Sequence, residues 1–261
     1  MRIPANHQRP YALGVALSGG GARGFAHIGA LRALAEEGLV PDIIAGVSAG
    51  SVVAAFYASG LLNGPGPDPL LRLFSTGKFS DFAEMHVPRQ SFFSLDRFQA
   101  HLEKLLPYQS IEQLPVKTVI GAVDLDAGTK VAFTSGPLAE RIVASCSMPI
   151  VFDPKEIDGR RYVDGGVLRN LPAWPIRHLC RRLIGINCSP MYKMPPARSI
   201  LDIARRSYAL MSKNNTTADM ELCDLVINLT ETADHQVFDL RSLAALEQAG
   251  YETARAALRP Q

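Results

Sequence analysis

The chain has 261 residues, of which 47% are hydrophobic and 20% are charged, and its formal net charge is +2. These values are typical of an ordinary globular protein and weigh against a nucleic-acid partner, which requires a strongly basic surface. The length suits one α/β domain, so we expect residues 1–261 to form a single domain. Four cysteines without metal-ligand spacing favour free thiols in a reducing compartment. The N-terminus lacks the apolar core of a signal peptide, and we expect a cytoplasmic protein.

The chain starts, after a polar lead, with a pattern of strand, glycine-rich loop and helix. Residues 12–17 form a short apolar run, which predicts a strand buried on both faces. The loop Ser18-Gly-Gly-Gly-Ala-Arg-Gly24 follows. Apolar residues then recur at helical spacing from Phe25 to Glu37, and Gly38 is typical of a helix end.

The next stretch, residues 42–60, has two interpretations. Residues 43–62 carry no charge and are long enough to span a bilayer. They are rich in Gly, Ala and Ser, however, and no cluster of Lys or Arg flanks them. We therefore predict a strand over residues 43–45, the tight turn Gly46-Val-Ser-Ala-Gly50, and a helix from Ser51 to about Ser59.

That turn has the pattern G-x-S-x-G of a nucleophile elbow. Gly46 and Gly50 have no Cβ, so a strand and a helix can pass close to a strained serine between them. Ser48 is therefore the candidate nucleophile. A right-handed crossover makes the two predicted strands parallel, which brings both glycine-rich turns to the same carboxyl edge of the sheet. Open α/β sheets bind their ligands at this edge.

The remaining elements are predicted from local patterns. Strands over residues 116–123 and 130–133 form a hairpin, and a helix covers residues 137–146. A second hairpin, residues 156–157 and 160–163, ends in Asp164-Gly-Gly166. Later strands are predicted over residues 182–187 and 225–229, and helices over residues 199–211 and 240–258.

Aromatic residues are concentrated in the middle of the chain. Residues 70–106 hold six of the eleven phenylalanines, namely Phe74, Phe79, Phe82, Phe92, Phe93 and Phe98. They either pack in the core or cover an acyl-binding groove. If exposed, they would guide peripheral contact with a membrane surface. Leu95, Phe98, Leu102 and Leu105 define one face of a helix that Ser94 could cap.

The first glycine loop also has more than one interpretation. The run Gly19-Gly20-Gly21-Ala22-Arg23-Gly24 is formally G-x-G-x-x-G, but the acidic residue of a dinucleotide site belongs at the end of the next strand. Asp42 instead lies at the start of that strand, on the opposite edge. A better interpretation is an oxyanion hole, because successive Gly amides at a helix N-terminus converge on one point and Arg23 adds a positive charge.

A nucleophilic serine needs a base, and the sequence offers histidine and carboxylate candidates. His178 and His235 follow Ser48 and could complete a Ser–Asp–His order, although neither lies in a glycine-rich strand-end turn. Asp164 does lie in such a turn, where Gly165 and Gly166 allow close approach to a neighbouring loop. A carboxylate can accept the serine proton directly if burial raises its pKa.

Three motifs, in this order, resemble the patatin-like phospholipases: Gly19-Gly-Gly-Ala-Arg-Gly24, Gly46-Val-Ser-Ala-Gly50 and Asp164-Gly-Gly166. The flanking Ala144-Ser145, Pro149, Phe152-Asp-Pro154 and Asn170-Leu-Pro172 are similar to bacterial members, and the resemblance covers nearly the whole chain. It implies a three-layer α/β/α fold with a mainly parallel central sheet. It further implies a Ser48–Asp164 dyad without histidine, and an oxyanion hole formed by Gly19, Gly20, Gly21, Arg23 and Gly24.

We therefore expect an enzyme that cleaves fatty acyl esters of phospholipids, lysophospholipids or related lipids, without a metal or other cofactor. One alternative is a general carboxylesterase or thioesterase. Another, from a different class, is a regulatory module that binds a nucleotide or phosphate on the first glycine loop. The expected partners are a lipid substrate and a membrane surface contacted peripherally, and a homo-oligomer is compatible with this prediction.

Overall fold

The computed structural model describes residues 9–62, 69–75, 82–85, 91–190, 196–235 and 240–259. Its strands are β1 (Tyr11–Leu17), β2 (Ile43–Val47), β3 (Glu84–Met85), β4 (Phe93–Ser94), β5 (Lys117–Asp124), β6 (Thr129–Phe133), β7 (Lys155–Ile157), β8 (Arg160–Asp164), β9 (Cys180–Asn187) and β10 (Leu225–Asn228). Its α-helices are α1 (Ala26–Glu36), α2 (Ala49–Ala58), α3 (Pro69–Ser75), α4 (Asp96–Leu105), α5 (Leu138–Cys146), α6 (Ile200–Met220) and α7 (Leu243–Leu258).

A mixed, mainly parallel sheet forms the centre of the fold. Its strand order is β10-β9-β1-β2-β5-β8-β7, and β6 also pairs with β5. The strands from β10 to β5 are parallel, whereas β6 and β8 run antiparallel to β5. The inner strands β1 and β2 are almost entirely buried, as their apolar runs predicted, because both faces of the sheet are covered.

Side chains alternate between two apolar cores on opposite faces of the sheet. Val15, Leu17 and Ile44 point to the larger core, which packs against α1, α2, α4, α5 and α7. Ala16 and Ala45 point to the smaller one, which is covered by the segment around residues 171–179 and the end of α6. This arrangement confirms the three-layer α/β/α fold and the mainly parallel sheet predicted from the sequence.

The uncharged stretch over residues 43–62 forms a strand and a helix, as predicted, and not one long helix. Among the residues that the structure describes, no helix combines the length and apolar character needed to cross a membrane. The strand runs to Val47 and the helix begins at Ala49, so Ser48 alone separates the two elements.

Two predicted helices differ from the structure at their ends. The helix predicted over residues 199–211 continues to Met220, because the polar side chains in its second half bind a distant turn. Its N-cap is Ser199, whose hydroxyl accepts from the Asp202 amide. In α4 the N-cap position is Leu95, although the Ser94 hydroxyl accepts from the Asp96 amide at 3.0 Å. Of the four residues predicted to share one face of α4, Leu95, Phe98 and Leu102 are buried, and Leu105 at the end of the helix is exposed.

Candidate active site

Ser48 occupies a strained turn between β2 and α2. Its backbone angles are φ 52° and ψ −126°, in a region that L-residues rarely adopt. A Cβ on Gly46 would collide with the backbone of Gly50, and a Cβ on Gly50 would collide with the carbonyl of Leu17. Both glycines are therefore required by the close approach of strand and helix, as the elbow pattern predicted.

The strained turn is held by hydrogen bonds from outside it. The Ser48 amide donates to the hydroxyl oxygen of Ser145 at 2.8 Å. The Ser145 hydroxyl in turn donates to the carbonyl of Gly121 in β5 at 2.6 Å. Ser145 is fully buried, so the turn and the neighbouring strand are linked through a group that water does not reach.

The sheet register brings Asp164 next to this turn. Val47 at the end of β2 pairs with Gly121 of β5, and the following residue of β5, Ala122, pairs with Asp164 at the end of β8. Gly165 then packs closely on this junction, because a Cβ there would lie 2.8 Å from the Gly121 carbonyl. Residues far apart in the chain thus meet at one point of the sheet.

The Asp164 carboxylate is buried and hydrogen-bonded. Its Oδ1 accepts from the Gly166 amide at 2.9 Å. Burial raises the pKa of Asp164 to about 6, while the Gly166 amide and the nearby hydroxyls of Ser48 and Tyr208 oppose the rise. A carboxylate with this pKa is ionised at neutral pH and basic enough to accept a proton from a bound hydroxyl.

The first glycine loop lies beside Ser48, but its glycines do not all have the same structural role. The Gly19 amide donates to the carbonyl of Asn170 at 3.1 Å, so the expectation that Gly19 donates to an oxyanion is wrong. Gly19 is needed for close approach instead, since a Cβ there would lie 3.1 Å from the Ser48 Cβ. Gly24 similarly packs against Ala49, where a Cβ would be 2.5 Å away.

Gly20 and Gly21 have the exposure that a ligand requires. Both are half-buried and line the same cavity as Ser48, whereas Gly19 is buried. Gly21, with φ 59°, begins a 3-10 helix over Gly21–Phe25 that leads directly into α1. Amides at the start of a helix have no partner within it, so they are suited to binding a negatively charged oxygen.

Arg23 lies in the wall of the cavity and is almost fully buried. Its Nε donates to the backbone carbonyl of His235 at 2.8 Å. The guanidinium therefore ties the segment after β10 to the glycine loop, a structural task that the sequence did not indicate.

The histidine alternatives do not reach this site. His178 is exposed and precedes β9, which places it at the amino edge of the parallel strands, opposite to Ser48. The backbone carbonyl of His235 contacts Arg23 of the loop, but His235 is not among the described residues that line the cavity. Among the described residues that line the cavity around Ser48 and Asp164 there is no histidine. His27 is a core residue whose ring contacts the Ser18 carbonyl, and burial lowers its pKa to about 4.

One face of α6 holds the turn that carries Asp164. The hydroxyl of Ser212 and the side-chain Nδ2 of Asn215 each donate to the Gly166 carbonyl at 2.9 Å. Asp219 accepts from the Trp174 amide and pairs with Arg169. With Tyr208 these residues recur at helical spacing, on one face of the helix. The predicted helix over residues 199–211 stops before Ser212, Asn215 and Asp219, so this face was not recognised; the helical spacing of Tyr208, Ser212, Asn215 and Asp219 was the available signal.

A cavity of about 470 Å³ opens above Ser48 and Asp164. Its volume is in the range of ligand sites, and its walls are mostly apolar. The apolar side chains that line it include Phe25, Val52, Val53, Leu70, Phe74, Phe82, Leu95, Phe98, Met148, Phe152 and Leu240.

Three of the clustered phenylalanines form part of this wall. Phe74 packs against Phe82 and Phe98 with ring centroids 4.6 and 6.0 Å apart. Phe82 and Phe98 are buried, so the hypothesis that they are exposed for membrane contact is wrong. Phe92 and Phe93 are half-buried, and Phe79 lies outside the described residues. Phe74, Phe82 and Phe98 therefore match the second expectation, in which phenylalanines form an apolar cover over a groove.

The fold and this strand-end cavity define an α/β protein with a nucleophile-elbow turn. The family model described as patatin-like phospholipase matches residues 15–176, and the chain belongs to this family. The family resemblance seen in the three sequence motifs is thereby confirmed.

Curated relatives match part of the chain. An uncharacterised NTE family protein of Mycobacterium tuberculosis is 38% identical over 174 residues, which are 62% of this chain and 44% of that protein. Patatin-like phospholipase domain-containing protein 7 of Rattus norvegicus is 32% identical over 184 residues, 66% of this chain and 13% of that protein. The match thus spans less than half of the length of either relative. Among solved structures, VipD from Legionella pneumophila aligns with 95% of this chain and 67% of its own, at 14% identity and a TM-score of 0.48.

Proposed function

We propose that this protein hydrolyses fatty acyl esters of phospholipids, lysophospholipids or related lipids, with Ser48 as nucleophile and Asp164 as base. The observation that carries the proposal is that Ser48, in its elbow turn, and the buried Asp164 carboxylate lie together in the lining of one mostly apolar cavity, close enough for the Ser48 hydroxyl to lower the pKa of Asp164. Membership of the patatin-like phospholipase family supports a lipid hydrolase.

The reaction follows from these two groups. Asp164 accepts the hydroxyl proton as the Ser48 Oγ attacks the ester carbonyl carbon, which gives a tetrahedral oxyanion. The oxyanion collapses, the ester C–O bond breaks, and the alcohol leaves with the proton from Asp164. A water molecule then gives its proton to Asp164 and attacks the acyl-enzyme. The second collapse releases the fatty acid and returns the proton to Ser48.

The oxyanion is stabilised by amides of the first glycine loop. Gly20 and Gly21 are the donors in this proposal, because both line the cavity and Gly21 starts a helical turn. Gly19 is excluded from this role by its hydrogen bond to Asn170. One such donor is worth roughly 3 kcal/mol of transition-state stabilisation in other enzymes.

The cavity also suits the two ends of a phospholipid. The phenylalanine wall offers apolar surface for an acyl chain. The part of the lining that α6 contributes includes Arg205, Arg206 and Lys213 together with Asp202. These cations favour a substrate with a phosphate group over a neutral small ester, which supports a phospholipid over the carboxylesterase and thioesterase alternatives.

The nucleotide-binding alternative is disfavoured by the position of Asp42. Its carboxylate accepts from the Leu13 amide at 2.9 Å, and its own amide donates to the Leu13 carbonyl. Leu13 lies near the start of β1, so Asp42 is at the amino edge of the sheet, where it cannot hold the ribose of a nucleotide bound on the glycine loop.

The test uses purified wild-type protein and Ser48→Ala. Wild type should react with a fluorophosphonate probe and release fatty acid from phosphatidylcholine and lysophosphatidylcholine, with and without calcium, and Ser48→Ala should do neither. Ser59→Ala is a matched control, because its hydroxyl bonds the Ala55 carbonyl at the far end of α2. Nucleotide binding without probe labelling of wild type would contradict the proposal.

A further inference from the structure

Ser189 follows the end of β9, the strand that pairs with β1, and it lies against the first glycine loop. The pairing of Leu17 with Ile186 continues into that loop, since the Ser18 amide donates to the Ile186 carbonyl at 3.1 Å. The Cys188 amide then donates to the Ser18 hydroxyl oxygen at 3.0 Å. This register brings Ser189 to the loop that is proposed to bind the oxyanion, and Ser189 also lines the cavity.

The hydroxyl of Ser189 holds the backbone carbonyl of Gly19. It donates to that carbonyl oxygen at 2.6 Å. The other donors to the same oxygen are more distant, with Ser18, Cys188 and Asn170 side-chain atoms at 3.1, 3.5 and 3.5 Å. The Gly19 amide is occupied as well, since it donates to the Asn170 carbonyl. Both polar backbone groups of Gly19 are therefore fixed, and Ser189 makes the shortest of these contacts.

Ser189 is itself held in place by the sheet. Its amide donates to the side-chain Oδ1 of Asn187 at 3.1 Å, and the Nδ2 of Asn187 donates to the Oδ1 of Asn228 in β10 at 3.0 Å. Asn187 is buried, so water does not compete for these contacts. Because the backbone of Ser189 is anchored to the ends of two neighbouring strands, its hydroxyl has a defined position relative to Gly19.

The Gly19 carbonyl and the Gly20 amide belong to one peptide group. A trans peptide is planar, and its C=O and N–H point in opposite directions. Holding the Gly19 carbonyl on Ser189 therefore directs the Gly20 N–H away from Ser189. Gly20 lines the cavity together with Ser48, and its amide has no acceptor among the residues that the structure describes. The Ser189 hydroxyl thus sets the direction of an amide that is available to an oxyanion.

We propose that Ser189 is a positioning residue of the oxyanion hole, whose hydroxyl holds the Gly19–Gly20 peptide so that the Gly20 amide faces the oxyanion formed at Ser48. This role rests on the proposed function, in which Gly20 is an oxyanion donor. The benefit is specific to the transition state, because the carbonyl oxygen of a bound ester carries less negative charge than the oxyanion. Loss of the Ser189 hydroxyl should therefore lower kcat and leave KM nearly unchanged.

The test compares two substitutions of the same shape in the full-length protein. Ser189→Thr keeps the hydroxyl, whereas Ser189→Val puts a methyl group in its place. With a soluble p-nitrophenyl ester, Ser189→Val should lose roughly tenfold in kcat, which is less than the 10²–10³-fold loss on removing a whole oxyanion donor. Ser189→Thr should stay within a few-fold of wild type. Ser189→Ala removes the same hydroxyl without added bulk and should behave as Ser189→Val does.

An oxyanion mimic gives a second measurement on the same variants. When the Ser48 Oγ adds to the carbon of an alkyl trifluoromethyl ketone, Asp164 takes the hydroxyl proton and the ketone oxygen becomes an oxyanion. Ser189→Val should bind this inhibitor roughly tenfold more weakly than Ser189→Thr, because the adduct resembles the transition state. Ser59→Ala should change neither kcat nor inhibitor binding, since its hydroxyl bonds a carbonyl within α2. Thermal melting of each variant checks that the fold is kept.

Two outcomes would overturn the role of Ser189 and leave the proposed function standing. Equal kcat and equal inhibitor binding for Ser189→Val and Ser189→Thr would show that the hydroxyl does not orient the peptide. A higher KM for Ser189→Val with unchanged kcat would make Ser189 a contact of the bound substrate instead. Wild-type protein without any ester turnover would contradict the proposed function itself, and the positioning role with it.

Discussion

The hydroxyl of Tyr208 lies against Gly166 and is close enough to the Asp164 carboxylate, two residues earlier in the chain, to lower the pKa of that carboxyl. A side chain on Gly166 would collide with this hydroxyl, so the glycine leaves the space that Tyr208 fills. Tyr208 stays protonated, because burial and the neighbouring Asp164 raise its pKa well above the ordinary value. Tyr208 therefore acts on the proposed base as a permanent donor.

Replacing Tyr208 by Phe should shift the pH dependence of ester hydrolysis. Burial raises the pKa of Asp164 to about 6, and the Tyr208 hydrogen bond opposes that rise. Without it the pKa rises further, so the acid limb of the kcat/KM profile should move to higher pH. Cys146 also faces Asp164, and its thiol stays protonated because burial raises its pKa.

Tyr251→Phe is the control for this measurement. Tyr251 donates to Glu36 on the surface between α1 and α7, so its loss should leave the profile in place. An acid limb that is identical in wild type and Tyr208→Phe would show that Tyr208 only packs against the turn.

The identity of the base is tested by mutating the carboxylate and both histidines. Asp164→Asn should remove most activity, because an amide cannot accept the serine proton. His178→Ala and His235→Ala should each stay within a few-fold of wild-type kcat/KM, since neither side chain lines the cavity. If a histidine variant lost several orders of magnitude in kcat/KM while Asp164→Asn remained active, the base would be a histidine in a triad and not Asp164.

The same Asp164→Asn variant should be more stable than wild type at neutral pH. The folded pKa of about 6 lies above the ordinary aspartate pKa of 3.8, so the stability of the folded protein falls as pH rises from 3.8 to 6 and stays low above that. The gap corresponds to ~3 kcal/mol, and the neutral amide avoids this cost. Denaturant melts should therefore show a stability gain at pH 8 that disappears toward pH 4. A gain of equal size at both pH values would contradict this origin.

The strain at Ser48 is tested by comparing two inactive variants. Ser48→Ala and Ser48→Gly both lack the hydroxyl and should both lose hydrolysis. Ala keeps the unfavourable backbone conformation with φ 52°, whereas Gly adopts it readily. Ser48→Gly should therefore have the higher Tm, by an amount equivalent to about 1–3 kcal/mol of relieved strain. A lower Tm for Ser48→Gly would show that the turn is not strained.

The nucleophile elbow and the first strands and helix can be predicted from the sequence, because they depend on residues that are close together in the chain. Gly46, Ser48 and Gly50 predict the elbow because a strand and a helix can flank a serine so closely only where there is no Cβ. The apolar runs of β1 and β2 and the helical spacing after Phe25 predict the α/β pattern for an equally local reason. The structure confirms the elbow, the two strands and the first helix, because each of them depends on interactions between residues that are close in the sequence.

Contacts between distant segments of the chain, by contrast, are seen only in the tertiary structure. The Gly19 amide is taken by Asn170, and Tyr208 reaches Asp164, through contacts between segments far apart in the chain. The second half of α6 is polar and has no apolar repeat to predict it, since its side chains bind the turn at Gly166. The phenylalanines could pack in a core, line a groove or meet a membrane with the same sequence. Only the packing of Phe74 on Phe82 and Phe98, around a cavity above Ser48, distinguishes these cases, because burial depends on the whole fold.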